Sequence, residues 1–163
     1  MRLAFITLSL LTGLSFAGPA RAADPCAGYI PQPKPQNTGR DEVGQDLDTI
    51  VEQGHMRFAV YEDYPPYSWE EAGKPKGVDV EIAALIAESL GVEARFAFVA
   101  ADENLEADLR NNIWKGPVIG GRVSNAMMRV PYDSAFACRV EQVVFTGQYA
   151  AESIAIAYRE DAY

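Results

Sequence analysis

Histidine is almost absent from this chain, and cysteine is scarce. His55 is the only histidine, and Cys26 and Cys138 are the only cysteines. One histidine and one widely separated cysteine pair fit no zinc motif and no thioredoxin-type motif. We therefore expect neither a metal centre nor histidine-based catalysis, and no cofactor. We interpret His55 as a residue at the edge of a strand.

Basic residues are also few. The chain has 14 lysines and arginines against 23 aspartates and glutamates, which gives a formal net charge of -9. Nucleic acids and anionic membranes are bound through basic surface, so the composition argues against either partner. Hydrophobic residues make up 48% of the chain, which is enough for the core of one folded domain.

Only the amino terminus carries a long apolar run. Arg2 precedes a mainly apolar stretch, residues 3–16, and residues 20–22 offer the small side chains of a cleavage site. Pro19 ends the run too early for a comfortable membrane span. We predict that residues 1–22 are a cleaved secretory signal, which places the mature protein in a bacterial periplasm or outside the cell. The alternative is a retained amino-terminal anchor.

Residues 23–46 form a proline-rich extension, a composition that favours polyproline II and cannot bury a core. This extension contains Cys26. In an oxidising compartment an even cysteine pair favours a disulfide, and closing so long a loop stabilises by roughly 4 to 5 kcal/mol in the chain-entropy model. A bond between Cys26 and Cys138 would hold the extension against the domain as an arm. Two unpaired thiols remain the alternative.

From Asp46 onward, hydrophobic periodicity predicts a regular series of elements. They are a helix at 47–53, a strand at 56–61, a helix at 78–90, a strand at 92–99, a helix capped by Asp102, a short strand at 126–130, a turn or helical stub at 132–138, and strands at 143–145 and 153–158. The second helix is expected to bury one apolar face, made of Val78, Ile82, Leu85 and Ile86. This order implies an α/β fold with an open parallel sheet and right-handed crossovers.

The most informative segment directly follows the first strand. It reads Asp63-Tyr-Pro-Pro-Tyr-Ser-Trp69 and is followed by the second helix. The carboxyl end of a strand is where an open α/β sheet presents residues to a ligand. The segment therefore indicates capture of a small molecule.

Together these features resemble the bacterial extracellular solute-binding proteins of family 3, the periplasmic receptors of polar amino-acid ABC importers. The resemblance rests on the aromatic segment, on a helix start at Gly77-Val-Asp-Val80, on a strand start at Leu90-Gly-Val92, and on an arginine ten residues before a tyrosine. It implies a type II periplasmic binding protein-like fold, in which two lobes close on the ligand about a hinge. Residues 47–163 correspond to the amino-terminal lobe, so we expect either a fragment of a longer two-lobed receptor or a truncated product with a different function. In both cases we expect this chain alone to bind amino acids weakly or not at all, because one lobe leaves the ligand half solvated.

The resemblance also implies a set of ligand-binding residues. Tyr64 corresponds to the aromatic residue that packs over the ligand, since its face can hold an aliphatic chain or a cation. Arg139 corresponds to the residue that grips a ligand carboxylate, because its planar fork pairs both oxygens. Tyr67 and Trp69 correspond to aromatic positions at the loop base. Ser134 stands in the expected carboxylate cradle.

Two departures from the family pattern make amino-acid specificity an open question. Phe136 stands where the family usually has threonine, and Asn125 stands where it usually has aspartate. The altered loop and the proline-rich extension fit a divergent branch found beside periplasmic quinoprotein (PQQ) alcohol dehydrogenases.

Three functions follow from the resemblance. The first is a periplasmic solute receptor that delivers to an ABC permease in the inner membrane. The second is an accessory or maturation protein for a quinoprotein dehydrogenase, whose acidic surface would dock a basic partner such as a cytochrome. The third is an enzyme, with Glu62, Asp63 and Glu70 as the nearest acids. Fold analogy alone cannot assign chemistry, so we expect a binding protein and no enzyme.

Overall fold

The computed structural model describes residues 26–30, 45–117, 119, 121–153 and 155–157. The predicted signal, residues 1–22, and most of the extension at 23–46 lie outside the described residues. Within the described part of the chain, no helix is long and apolar enough to cross a membrane. The predicted division into signal, extension and lobe stays a prediction.

The centre of the fold is a three-stranded parallel sheet of order β4-β1-β5. Its strands are β1 (His55–Tyr61), β4 (Glu93–Val99) and β5 (Ala126–Met127). Strand β1 pairs with β4 along its whole length and with β5 through two residue pairs. The run 58–60 in β1 is fully buried, as expected for a central parallel strand covered on both faces. The predicted α/β class with a parallel sheet is confirmed.

Helices and one hairpin surround this sheet. The helices are α1 (Leu47–Gln53), α2 (Val78–Ser89), α3 (Leu105–Leu109), which continues as one π-helical turn (Arg110–Trp114), and α4 (Ser134–Arg139). The hairpin joins β2 (Trp69–Glu71) to β3 (Lys74–Lys76). Its two-residue turn, Ala72 and Gly73, has positive φ at both positions, which is the backbone that suits a twisted two-residue hairpin. The predicted helices at 47–53 and 78–90 and the helical stub at 132–138 are confirmed.

The core lies between α2 and the sheet. Its buried members are Phe58, Val60, Ala83, Ala87 and Met128. Phe58 also stacks on Phe96 of β4, with ring centroids 6.1 Å apart. The small alanines of α2 let the helix approach the sheet closely, while the two phenylalanines fill the space between strands and helix.

The predicted buried face of α2 is correct only at Ile82, which is partly buried against the core. Val80, Ala83 and Ala87 are buried, whereas Leu85 is 63% exposed and Val78 is 44% exposed. The prediction followed side-chain size, but the narrow space above a parallel sheet takes the alanine face of this helix. Val78, Leu85 and Ile86 consequently lie on the exposed side of the helix.

Three further predictions need correction. The segments 143–145 and 153–158 are not strands in their described residues, and Val144 and Ile156 are about nine-tenths exposed. High β propensity does not make a strand without a pairing partner, because its contribution comes from packing against neighbouring strands. The cap of α3 is Asn104, whose side chain accepts the Ala107 N–H, and not Asp102. Ile154 and Tyr158 lie outside the described residues.

A disulfide joins Cys26 to Cys138, with the two Cα atoms 5.4 Å apart. Cys138 lies in α4 and is 7% exposed. Residues 26–30 of the extension are thereby tied to α4, although the two cysteines are 112 positions apart in the chain.

Candidate functional site

The carboxyl ends of β1 and β5 meet at one edge of the sheet. The aromatic loop, residues 62–68, leaves β1 there, and Arg129 follows β5 by two positions. Helix α2 begins directly behind the loop. The N–H groups of Val78 and Asp79 donate to the carbonyl oxygens of Pro66 and Tyr67, at 3.1 and 3.0 Å. The first turn of α2 therefore holds the aromatic loop in place through its otherwise unpaired donors.

The aromatic loop is closed on itself. Tyr64 and Ser68 form an antiparallel bridge, with backbone hydrogen bonds of 2.8 and 2.9 Å. Ser68 is fully buried, and its hydroxyl donates to the Tyr61 carbonyl at 2.6 Å. The peptide bond between Pro65 and Pro66 is cis. Tyr64 is 41% exposed, and its ring centroid lies 5.2 Å from that of Tyr67. A fixed loop thus presents one aromatic side chain to solvent.

A buried ion pair lies behind this loop. The Arg129 Nε and Nη2 groups donate to Asp79 at 2.9 and 3.3 Å, with the side chains 9% and 1% exposed. The guanidinium carbon of Arg129 also lies 3.3 Å from the centroid of the Tyr67 ring. Asp79 sits in the first turn of α2, where a carboxylate is favoured by the helix dipole. The bidentate pair and the ring contact fix both charges in place.

Tyr149 and Glu152 complete the network. The Tyr149 hydroxyl donates to Asp79 at 3.0 Å and accepts the Arg129 backbone N–H at 2.7 Å. Glu152 pairs with the Arg129 guanidinium from the more exposed side. Burial, followed by the charge of Asp79, raises the pKa of Tyr149 above its ordinary value, so the hydroxyl stays a donor. Burial alone would lower the pKa of Arg129, but the hydrogen bond and charge of Asp79, together with the charges of Tyr149 and Glu152, raise it, and the net shift is upward.

A second buried carboxylate lies near the same edge. Asp108 is 4% exposed and accepts from the Tyr61 hydroxyl at 2.8 Å and from the Asp102 N–H at 2.7 Å. Burial, together with this hydrogen bond, raises the pKa of Tyr61. Both oxygens of Asp108 are thus engaged in joining the end of β1 to the segment that follows β4, which is a structural role.

The structure brings only some of the predicted ligand-binding residues together. Tyr64 and Tyr67 are in contact, and Trp69 is half-buried at the start of β2, beside the same loop. Ser134 and Arg139 are exposed at the two ends of α4, and the Arg139 guanidinium lies 5.7 Å from the Phe136 ring centroid. None of the contacts in the described residues joins either of them to Tyr64. The binding role of all five stays a prediction.

Sequence reasoning missed Asp79 and Arg129 as a pair. Each does carry a local signal. Asp79 interrupts the apolar Gly77-Val-Asp-Val80 start of a helix, and Arg129 separates Met128 from Val130 and Pro131. A charge inside an otherwise apolar segment is seldom left unpaired, because burial of an isolated charge is costly.

The acids nearest the loop do not form a catalytic arrangement. Glu62, Asp63 and Glu70 are all exposed. A general acid or base is usually tuned by burial or by a close partner, and exposed carboxylates lack both. Across the described residues, no group of three or more histidine, cysteine, aspartate or glutamate side chains is arranged to hold a metal ion.

Part of this chain is similar to a known protein family. Residues 56–114 match the family described as bacterial extracellular solute-binding proteins, family 3. That segment contains β1, the aromatic loop, α2, β4 and α3. A comparison with curated proteins gave no match.

Several solved structures are similar over part of the chain. An ancestral cationic amino acid solute-binding protein is 30% identical with a TM-score of 0.35, over 40% of this chain and 29% of that one. An ancestral cyclohexadienyl dehydratase is 34% identical with a TM-score of 0.36, over 41% of this chain and 28% of that one. The arginine-bound domain 1 of TmArgBP, from T. maritima, is 30% identical with a TM-score of 0.35, over 40% of this chain and 53% of that one. The matches thus span between 28% and 53% of these three proteins.

Proposed function

Since residues 56–114 belong to family 3 of the bacterial extracellular solute-binding proteins, we propose that this chain binds a small, polar, amino-acid-like solute beside Tyr64. The family match confirms the resemblance found in the sequence. In the proposed role the protein captures its solute in the periplasm and delivers it to the permease of an ABC importer in the inner membrane.

The exposed ring of Tyr64 is the main support for this proposal. It lies at the carboxyl edge of a parallel sheet, where α/β folds collect their ligands. The neighbouring ring of Tyr67 is already covered by the Arg129 guanidinium, so Tyr64 is the ring left for a ligand. Its face can hold an aliphatic chain or an ammonium group, and its hydroxyl can make a polar contact.

The charges around the loop favour a solute with a cationic group. Exposed carboxylates follow the loop at Glu62, Asp63 and Glu70, while Glu71 of the hairpin pairs with Lys76 at 3.4 Å. Such a surface attracts an ammonium group toward the Tyr64 ring.

In this proposal Arg139 binds the solute carboxylate, and Ser134 lies at the other end of the same helix, α4. Arg129 is a poor candidate because two carboxylates, Asp79 and Glu152, already engage its guanidinium. Arg139 is exposed, and within the described part of the chain its guanidinium contacts only the Phe136 ring, so its donors are available to a ligand.

Calorimetric titration of the purified chain with individual L-amino acids tests the proposal. We expect weak but saturable binding of at least one of them, because a solute against the exposed Tyr64 ring stays partly solvated. Tyr64→Ala should weaken this binding roughly three- to tenfold, and Tyr64→Phe, which keeps the ring, much less. Arg139→Lys should weaken binding of the free amino acid and leave binding of its amide nearly unchanged. Binding that survives Tyr64→Ala at full affinity would contradict this site, and failure of every amino acid to bind would contradict the function.

The acidic surface around the loop also suits a second role, as an accessory protein of a periplasmic quinoprotein alcohol dehydrogenase. Exposed carboxylates on one edge favour docking of a basic protein such as a cytochrome. The same titrations separate the two roles, because an accessory protein has no reason to bind a free amino acid and should tolerate Tyr64→Ala.

A further inference from the structure

A cavity of about 540 Å³ lies at the amino-terminal end of the sheet strands, away from the aromatic loop. Its walls come from the start of β1, from Arg95 of β4, from Gln45 and Gln53 at the two ends of α1, and from residues 115–116 and 121–125. Because β1 has seven residues, the two ends of the sheet are about 20 Å apart. This cavity is therefore a different place from the Tyr64 site.

The lining of this cavity is strongly basic. Of the 14 lysines and arginines in the chain, four line it, together with the only histidine. These residues are His55, Arg57, Arg95, Lys115 and Arg122. The polar remainder is contributed by amides, and no described lining residue is acidic. Glu93, which does not line the cavity, pairs with Arg95 at 3.2 Å. A chain of net charge -9 thus places four of its 14 lysines and arginines around one cavity.

Strand pairing forces two of these cations together. Arg57 of β1 and Arg95 of β4 are register partners, and the strands lie about 4.8 Å apart, so both side chains leave the same face of the sheet. His55 shares that face because it precedes Arg57 by two positions. Like charges placed side by side across strands are destabilising. An anion bound between the two arginines would attract both of them and turn this repulsion into a stabilising interaction.

The Arg57 side chain supplies an independent observation. Its Nε–H is buried and has no hydrogen-bond partner among the described residues. A buried donor without an acceptor costs free energy, and most such groups in folded proteins are paired. The Arg57 backbone is fixed by two hydrogen bonds of 2.8 Å with Asn125, one to its side chain and one from its N–H. The backbone position from which the Arg57 side chain starts is thus fixed, while its buried Nε–H has no acceptor among the described residues.

We propose that this cavity binds an oxyanion carrying at least two negative charges, of the phosphate class. Guanidinium forks pair two oxygens of such a group at once, and several of them converge here. A free phosphate compound and the headgroup of an anionic phospholipid present the same chemistry. The site is independent of the solute site beside Tyr64.

Calorimetric titration of the full chain with inorganic phosphate, at ionic strength held constant with chloride, tests the proposal. We expect saturable binding that Arg95→Gln and Arg122→Gln each weaken by about tenfold or more, the scale of one charge-assisted hydrogen bond. Arg110→Gln is the matched control. It removes the same charge from an exposed arginine outside the cavity and should leave the affinity unchanged. Thermal unfolding of each variant verifies that it is folded.

Flotation with phosphatidylcholine vesicles that contain phosphatidic acid distinguishes the two sources. Vesicle binding that Arg95→Gln abolishes and free phosphate competes away assigns the site to a lipid headgroup. Phosphate binding without vesicle binding assigns it to a free anion. The proposal fails if the chain binds neither phosphate nor vesicles saturably, or if Arg110→Gln weakens binding as much as Arg95→Gln.

Discussion

Asp79 and Arg129 show at the residue scale how two distant positions build one support for the aromatic loop. They are 50 positions apart in the chain, yet both side chains are almost completely buried in a bidentate pair. The pair lies against Tyr67 on one side and Tyr149 on the other. Its role is to fix the loop that presents Tyr64, and the exposed ring of Tyr64 does the binding in our proposal.

Asp79→Asn should therefore be strongly destabilising. It leaves the Arg129 guanidinium buried with Glu152 as its remaining carboxylate, and breaking a buried ion pair costs about 3 to 5 kcal/mol. Urea unfolding measures the change in free energy. Glu81→Gln, which removes an exposed carboxylate from the first turn of the same helix, should change it by less than about 0.5 kcal/mol. Equal losses in the two variants would mean that helix charge, and not the buried pair, is responsible.

At the scale of elements, the aromatic loop and α2 meet at Gly77. This glycine is buried with φ at 117°, a backbone that side chains rarely adopt. A Cβ built there lies 2.1 Å from the Tyr67 carbonyl oxygen, the acceptor that holds the first turn of α2. The close approach of the two elements requires the absence of a side chain.

Gly77→Ala should accordingly lower stability by about 2 kcal/mol or more and weaken solute binding at Tyr64, because strain and a backbone clash act together. Gly73→Ala is the control. Gly73 also has positive φ, but a Cβ there meets nothing within 4 Å, so the cost should stay near 1 to 2 kcal/mol, roughly that of the left-handed backbone. Binding should be unaffected in this control. A Gly77→Ala protein with native solute affinity would contradict the proposed coupling of loop and helix.

The elements that local pattern could predict were those with strong periodicity and clear ends. Strand β1 and helix α2 are bounded by Gly54, Gly77 and Gly91, and both were predicted within one or two residues. The buried face of α2 was not predictable in the same way, because it depends on how much room the sheet leaves. The supposed strands at 143–145 and 153–158 failed for a related reason, since pairing partners are set by the whole fold.

The residues of the two candidate sites also differ in how far the sequence predicts them. Tyr64 and Tyr67 could be named from the sequence because one short segment holds them and resembles a known family. The contact of Asp79 with Arg129 and the convergence of Arg57, Arg95 and Arg122 arise from tertiary structure. A local pattern can mark Asp79 and Arg129 individually as charges in apolar segments, but it does not identify their partners. Sequence reasoning considered only the net charge of the chain and therefore overlooked its basic cavity.

At the scale of the whole molecule, charge is segregated along the strands. Exposed carboxylates surround the aromatic loop at the carboxyl edge, and the basic cavity lies at the amino edge. This distribution gives each edge a different preference, for a cationic group at one and for an oxyanion at the other. The net charge does not reveal the preference for an oxyanion, because the acidic residues of the chain outnumber the basic ones.

The disulfide between Cys26 and Cys138 constrains the whole chain, and its loss gives the last prediction. Replacing both cysteines by serine should lower the free energy of unfolding by about 4 kcal/mol, because a loop closed over 112 positions strongly restricts the unfolded chain. Urea unfolding of the oxidised protein against the double variant measures this, and a reducing agent should affect the former alone.

The same variant separates stability from binding. The bond holds residues 26–30 against α4, which carries Arg139, whereas Tyr64 and the basic cavity lie on elements fixed by the sheet and by α2. We expect the folded double variant to keep its phosphate affinity and to lose affinity mainly for ligands with a free carboxylate. Equal losses for a free amino acid and its amide would show that α4 does not hold the carboxylate, and Arg139 would then have no place in the site.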